Sequence, residues 1–199
     1  MADDALECPL ISQIDSVDDD RLLMAAARHD TEAAGKLYDK YYSEILGYIY
    51  HCTFDGAIAE DLTSNVFLAV FCHLGRFRWR QSSFRAWLYR IATNEVRMHW
   101  RRQKRVKIVS LQPDVENQVV EPSAHVSMVS AEEYRLLHKA LMELRLKYRT
   151  VIILRYFESK TIAEICEITG RKEGTVKSQL HRGLAKLQDI LVRWGVLPE

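Results

Sequence analysis

The stretch TIAEICEITGRKEGTVKSQLHR, residues 161–182, decides how the C-terminal part of the chain folds. It opens with a capping box, because the Thr161 hydroxyl can accept from the Glu164 amide while the Glu164 carboxylate reaches back to the first amide. Gly170 suits the left-handed position that ends a helix, and a second helix begins near Glu173. This pattern predicts a helix-turn-helix suited to the DNA major groove. Taken alone, the stretch also fits an αα-hairpin with a solvated face.

The second of these helices has two different faces. Its predicted inward stripe consists of Val176, Leu180, Leu184, Leu187 and Leu191. Its opposite face is polar and basic, and presents Lys177, Ser178, His181 and Arg182. Residues near the start of a recognition helix meet base edges, and flanking basic residues hold phosphates.

Helical spacing of apolar residues extends through most of the rest of the chain. One helix begins around Leu22, and the next carries the stripe Leu37, Tyr41, Ile45, Tyr48 and Ile49. A third covers 59–74, with Leu62, Val66, Phe67 and Val70 on one face. A fourth runs from Ser83 to about Arg105, with Phe84, Trp87, Leu88 and Ile91 assigned to the core and a strongly basic second half. No alternating run is long enough to predict a sheet, so the fold class is all-α.

Helical periodicity disappears between Val106 and Ser130, a stretch that holds two prolines, and this indicates a flexible linker. The prediction is therefore two helical domains, the C-terminal one a helix-turn-helix. Their expected extents are an acidic tail over 1–17, a first domain over 18–105, a linker over 106–130 and a second domain over 131–195.

The net charge of +1 hides a strong segregation of charge. Residues 1–20 contain seven acids and no base, whereas residues 76–107 contain eleven Arg or Lys and one acid, Glu95. A segment this basic within a nearly neutral chain indicates a surface that binds polyanions. The alternative interpretation is a solvated charged face, but such a face normally mixes both signs of charge. The acidic tail is either disordered or screens the basic helix.

Four scattered cysteines without a CxxC pair, and no cluster at metal-ligand spacing, predict neither a metal site nor a cofactor. The N-terminus lacks the basic and apolar regions of a signal peptide, and no run approaches eighteen apolar residues, so we expect a cytoplasmic protein without membrane insertion.

Two sets of motifs then indicate a family. The segments LRYFE (154–158), IAEI (162–165), EGTVKS (173–178) and LHR (180–182) closely resemble region 4 of sigma-70 family sigma factors. The segments AEDLT (59–63), VFL (66–68) and FRAWLYRIA (84–92) closely resemble their region 2. Because no sigma regions 1 and 3 are recognisable, the chain resembles the compact extracytoplasmic-function (ECF) group.

The resemblance implies that the chain directs RNA polymerase core to promoters, in a stress or envelope response, and helps to melt them. The residues matching the family's minus-thirty-five readers are Lys177, Ser178, His181 and Arg182, and the residues expected at the phosphates beside them are Arg171, Lys172 and Thr175. The residues expected at the minus-ten element are Arg78, Trp79, Arg80, Asn94, Arg97, Met98, Arg101 and Arg102. Their mixture of aromatic and basic side chains suits unstacked bases.

Region 2 of the family also grips the beta-prime clamp helices of the polymerase, and region 4 contacts the beta flap. The residues expected at the clamp are Glu60, Asp61, Asn65, Phe67, Leu68 and Phe71. An acid near a helix start also complements the helix dipole, which alone accounts for Asp61. The expected partners are core polymerase and promoter DNA, and an anti-sigma factor is a further candidate.

Two departures from the family pattern bear on region 4. Many relatives have Leu-Pro where this chain has Leu144-Arg145, and Lys172 replaces the usual helix-capping residue. The main rival function is a helix-turn-helix regulator that does not act as a sigma factor. An enzyme is not expected, since the adjacent Glu60 and Asp61 point about 100° apart on a helix and cannot form a catalytic dyad.

Overall fold

The computed structural model describes residues 20–77, 83–109 and 131–198. These residues form helices and turns, with no strand among them, and the all-α prediction is confirmed. The predicted linker falls largely on 110–130, and the predicted tail on 1–17; both lie outside the described residues.

The helices form two groups along the chain. The first group is α1 (20–26), α2 (Thr31–Thr53), α3 (Gly56–His73) with a 3-10 turn (Leu74–Arg76), and α4 (Phe84–Val109). The second group is α5 (Ala131–Glu143), α6 (Leu146–Ile152), a π-helical turn (Ile153–Phe157), α7 (Ile162–Thr169) and α8 (Glu173–Arg193). Helix α4 thus ends four residues beyond the expected position.

The first group is organised around α2, whose predicted stripe is fully buried. Tyr48 donates or accepts a hydrogen bond with Thr93 at 2.9 Å, which satisfies two polar groups inside the core. Helix α1 is anchored by Asp20, whose carboxylate accepts from Lys40 Nζ at 2.8 Å and from the Tyr41 hydroxyl. Asp20 is 6% exposed, so this member of the acidic N-terminal run has a structural role.

The helix-turn-helix forms at the expected positions. The Thr161 hydroxyl accepts from the Glu164 amide at 3.3 Å, and the Glu164 carboxylate accepts from the Thr161 amide at 2.8 Å, which completes the capping box. Gly170 ends α7 with φ 68°, in the left-handed region that glycine adopts without a Cβ clash. These features confirm the predicted boundaries of α7 and the start of α8 at Glu173.

The predicted inward stripe of α8 is wrong at Leu184, which is 38% exposed. The two four-residue steps from Val176 to Leu184 advance about 800° around the helix, so Leu184 lies about 80° away from the direction of Val176. The buried positions of α8 are instead Val176, Leu180, Gly183 and Leu187. Gly183 permits close packing of α8 on α6, because a Cβ there would lie 3.0 Å from Ile152 Cδ1.

The connection before α6 keeps the shape that a proline would impose. Arg145 has φ −57° and ψ 137°, and the φ value is close to that fixed by a proline ring. The chain therefore keeps a break between α5 and α6 although Arg145 stands where many relatives have proline. Buried Arg149 reinforces this break, because its guanidinium donates to the carbonyl oxygens of Met142 at 2.9 Å and Leu144 at 3.3 Å.

Helix α3 and the following turn, residues 56–76, are long and apolar enough to cross a membrane by length and composition alone. In the fold this segment supplies part of the core, through Leu62, Val66, Phe67 and Val70. Packing inside the helical bundle therefore accounts for its apolar composition.

Candidate nucleic-acid interface

The first candidate surface is the outer face of α8. Lys177, His181 and Arg182 are exposed there, and Ser178 is half-buried beside them. Lys177 forms an exposed ion pair with Glu173 at 2.6 Å, and this contact raises the pKa of the Lys177 ammonium. An exposed pair of this kind contributes little to stability, so Lys177 can exchange Glu173 for a nucleic-acid partner at small cost.

The start of α8 is open to solvent. Lys172 occupies the N-cap position without a side-chain cap, as its residue type predicted. Uncapped amides and the positive end of the helix dipole favour a phosphate oxygen at this position. Lys172 and Thr175 are exposed beside these amides. The arrangement suits both residues to the phosphate contacts expected of them.

Arg171 behaves differently from its neighbours. It is half-buried, and its Nη1 donates to Gln179 Oε1 at 2.5 Å. Burial lowers the pKa of Arg171, and the nearby charge of Arg97 lowers it further. Arg171 is thus held against the protein in this arrangement, and its predicted phosphate contact requires it to leave Gln179.

The second candidate surface runs along α4. Asn94, Met98 and Arg101 are exposed, and Arg97 is half-buried with its Nη1 donating to Asn94 Oδ1 at 3.2 Å. These four positions are spaced i, i+3, i+4 and i+7, so one face of the helix presents them together. Arg102 is exposed on the adjoining side. The residues Arg78, Trp79 and Arg80, also expected at the minus-ten element, lie outside the described residues.

A third surface, on α3, is acidic and apolar. Glu60, Asp61 and Asn65 are exposed, and Leu68 is 64% exposed although leucine is normally buried. Phe71 is half-buried at one end of this face. Phe67, expected on the same surface, is 2% exposed and packs against Tyr38 in the core, so it supports the face from beneath.

The helix dipole does not account for Asp61. Helix α3 begins at Gly56, three residues earlier than expected, and its first turn contains no acid. Its N-cap is Asp55, whose carboxylate accepts from the Ile58 amide at 3.0 Å. Asp61 therefore lies beyond the first turn, where the dipole effect has faded. Binding to a partner therefore explains an exposed acid at position 61 better than the helix dipole does.

The candidate surfaces on α4 and the helix-turn-helix adjoin one another, because α7 packs against α4. Arg90 Nη2 donates to the Glu167 carbonyl oxygen at 2.6 Å, and the Ser83 amide donates to the Glu167 carboxylate at 2.7 Å. Sequence reasoning missed Glu167, since an exposed-looking acid on α7 carries no signal for a partner 77 residues away. Among the described residues, no cluster of three or more metal-ligating side chains occurs.

Two family profiles match the chain. The profile described as Sigma-70 region 2 matches residues 37–106, and the profile described as Sigma-70, region 4 matches residues 134–187. The first match contains the exposed face of α3 and α4 up to residue 106, and the second contains α7 and α8 up to residue 187.

Three curated relatives share 29–30% identity with the chain. The ECF RNA polymerase sigma factor BldN of Streptomyces coelicolor is 29% identical over 170 residues, which span 85% of this chain and 64% of that protein. The RNA polymerase sigma factor YlaC of Bacillus subtilis is 30% identical, over 76% of this chain and 88% of that protein. The ECF RNA polymerase sigma factor SigL of Mycobacterium tuberculosis is 30% identical, over 86% and 96%.

Solved structures share the fold. The sigma factor RpoE of Bartonella quintana, in complex with the anti-sigma factor NepR, superposes with a TM-score of 0.66 at 23% identity, covering 79% of this chain and 95% of that one. CnrH, in complex with the cytosolic domain of CnrY, superposes with a TM-score of 0.63 at 23% identity, covering 87% and 97%.

Proposed function

The chain belongs to the ECF group of the sigma-70 family, and from this membership we propose that it directs RNA polymerase core to promoters and promotes their melting. The observation that carries the proposal is the presence of both region matches, each bearing an exposed surface suited to its expected partner. The polymerase supplies the nucleotide chemistry, and the chain supplies recognition. It is not itself an enzyme, and it acts in the cytoplasm with the polymerase.

The second half of the chain reads the minus-thirty-five element. Lys177, Ser178, His181 and Arg182 enter the major groove, where Lys and Arg pair with guanine and Ser or His contacts supplement them. Lys172, Thr175 and the uncapped amides of α8 hold the adjacent phosphates. Because phosphate contacts release counterions, binding weakens steeply as salt rises.

The first half of the chain captures the melted minus-ten strand. Asn94, Arg97, Met98 and Arg101 form the face of α4 that contacts the non-template strand, with Arg102 beside it. The arginines hold phosphates and stack on bases, while Met98 contributes apolar contact. Arg78, Trp79 and Arg80, which lie outside the described residues, are proposed to contact the same strand.

The acidic and apolar face of α3 binds the beta-prime clamp helices, with Leu68 and Phe71 at its apolar centre and Glu60, Asp61 and Asn65 around them. An interface of this kind draws most of its affinity from the buried apolar residue, while the acids give specificity and speed of association. The similar protein RpoE was solved with the anti-sigma factor NepR bound. We extend this to an anti-sigma partner for the present chain.

The rival function, a regulator that binds duplex DNA without polymerase, is not favoured. It requires the helix-turn-helix alone, and it leaves the region 2 match, the exposed Leu68 and the basic face of α4 without a role.

Strand melting tests the proposal against this rival. With core polymerase and the chain together, we expect thymines near the minus-ten position of a selected promoter to become reactive to permanganate. Neither component alone should produce this reactivity, because the strand is captured by α4 held on the polymerase. Duplex binding by the chain with no permanganate reactivity in the presence of core would favour the regulator.

A further inference from the structure

The two halves of the chain pack into one continuous core. Helix α4 contacts α7, and α2 contacts both the π-helical turn and α5. Polar contacts close the seam, since Lys160 Nζ donates to Glu44 Oε1 at 2.9 Å and the Tyr89 hydroxyl donates to Glu158 Oε2 at 2.7 Å. In this closed arrangement α7 covers part of α4.

Two histidines from opposite halves meet at this seam. His51 of α2 and His138 of α5 stack with their ring centroids 5.3 Å apart. Phe54 stacks on His138 at 4.4 Å, and Phe157 lies 4.6 Å from His51, both measured between ring centroids. The Tyr134 hydroxyl lies 3.3 Å from His51 Nδ1. The pair is therefore enclosed by aromatic rings.

The surroundings of His138 do not suit a charged imidazole. The residue is 0% exposed, and neither ring nitrogen has a hydrogen-bond partner among the described residues. A proton on this ring would leave two buried N–H donors unsatisfied, with no solvent to stabilise the charge. A second proton on His51 would add repulsion between two cations in contact. Separating the halves relieves both penalties, because the two rings belong to different halves.

We propose that His51 and His138 form a proton-operated latch, which holds the two halves closed while both rings are neutral and releases them when the rings are protonated. Opening uncovers the face of α4 that α7 contacts. The consequence for promoter binding rests on the proposed function, whereas the opening itself does not.

The direction of the proton linkage follows from the closed structure. Burial lowers the pKa of His51 to about 4, and burial together with the charge of His51 lowers the pKa of His138 to about 3. The closed form is therefore favoured above the ordinary histidine pKa of 6.5 and loses this advantage as the pH falls through it. Between pH 7.5 and 5.5 the open-to-closed ratio rises roughly tenfold per histidine, or about a hundredfold for the pair.

Other titratable groups lie near the pair, and burial lowers the pKa of one of them, His99, whose charged neighbours are Asp55 and Arg102. The titratable or charged groups around the pair are Tyr50, Cys52 and Asp55 from the first half and Tyr134, Arg135, Arg149 and Glu158 from the second. Burial raises the pKa of Glu158, so the closed form takes up this proton more readily than the open form. Acid therefore favours closure through Glu158, the opposite of the histidine effect.

The thiol of Cys52 reports opening even when the open form is rare. Cys52 is 0% exposed in the closed arrangement. The backbone carbonyl oxygen of Cys52 accepts a hydrogen bond at 3.0 Å from the guanidinium of Arg149, which belongs to the other half. In full-length chain with Cys8, Cys72 and Cys166 changed to serine, the rate of Cys52 labelling by dithiodipyridine would be measured from pH 7.5 to 5.5. Dividing by the rate in unfolded chain at each pH removes the intrinsic pH dependence and yields the open-to-closed ratio.

We expect the rise in the parent chain to be about a hundredfold larger than in the double variant, and the rise in either His51→Phe or His138→Phe to be about tenfold larger than in the double variant, which carries the response of the other titratable groups. His29→Gln, at an exposed histidine away from the seam, should keep the full response. Circular dichroism shows whether each chain stays folded over this range, and a single variant replaces the double one if the latter unfolds. A parent response that the replacements leave unchanged would overturn the latch. Since neither polymerase nor DNA is present, this outcome is independent of the proposed function.

Discussion

Leu68→Asp lowers the affinity of the chain for RNA polymerase core by about 30-fold or more, the loss that follows from removing a central apolar contact worth about 2 kcal/mol. Leu68 is 64% exposed on α3, so the change removes no core packing and the free chain keeps its fold. The aspartate also places a further negative charge beside Glu60 and Asp61, which must be desolvated on binding. The dissociation constant would be measured with labelled chain and purified core.

The matched control is Leu22→Asp, at a leucine on α1 that is 73% exposed. It introduces the same side chain at a similarly exposed position on another helix, and we expect core affinity within about twofold of the parent chain, since scattered exposed apolar residues are normally neutral. Equal losses in the two variants would show that the effect is not specific to α3, and an unchanged affinity in Leu68→Asp would move the polymerase contact elsewhere.

Arg182→Ala raises the dissociation constant of the assembled holoenzyme for its promoter by about tenfold to a hundredfold, the range for loss of a base-reading arginine. The side chain is exposed on the outer face of α8, away from the buried positions of that helix, so stability should change little. Because Arg182 is predicted to contact a base, the loss should be large on the selected minus-thirty-five sequence and small on a scrambled one. Binding would be measured at one fixed salt concentration, since affinity for DNA depends on salt.

Lys147→Ala serves as the matched control for Arg182. Lys147 is an exposed base on α6 that stacks over the Tyr148 ring with its Nζ 4.8 Å from the centroid, and it lies outside the helix-turn-helix. Its loss should change promoter affinity by less than about threefold and should not alter sequence preference. Equal losses on selected and scrambled promoters in Arg182→Ala would assign this arginine to phosphate rather than to a base.

The local features of the fold were readable from the sequence because they depend on neighbouring residues. Thr161 and Glu164 are only three residues apart, so their capping box can be recognised within a short segment of the sequence. The helix end at Gly170 can be recognised in the same way, because it depends on the residue type at that one position. The prediction was wrong where small angular deviations from the helical repeat add up along a helix. The stripe of α8 was extended to Leu184, whereas the buried position is Gly183, because a helix repeats every 3.6 residues rather than every four.

Features that depend on distant residues could not be read from the sequence. Nothing near His51 indicates that it meets His138, and the bond from Arg90 to Glu167 joins residues 77 positions apart. The burial of Asp20 depends on Lys40 and Tyr41, which belong to another helix. The residues assigned to promoter and polymerase contacts stay predictions, since their partners are other molecules. The structure adds that most of these side chains on α3, α4 and α8 are exposed and therefore accessible to a partner.

Run-off transcription tests the sigma assignment most directly. Core polymerase and the chain would be combined at fixed salt with a library of promoter fragments, and the start sites mapped. We expect defined start sites that require the chain and that lie downstream of two shared sequence elements. Transcription that is indifferent to the chain, despite its binding to core or DNA, would contradict the assignment.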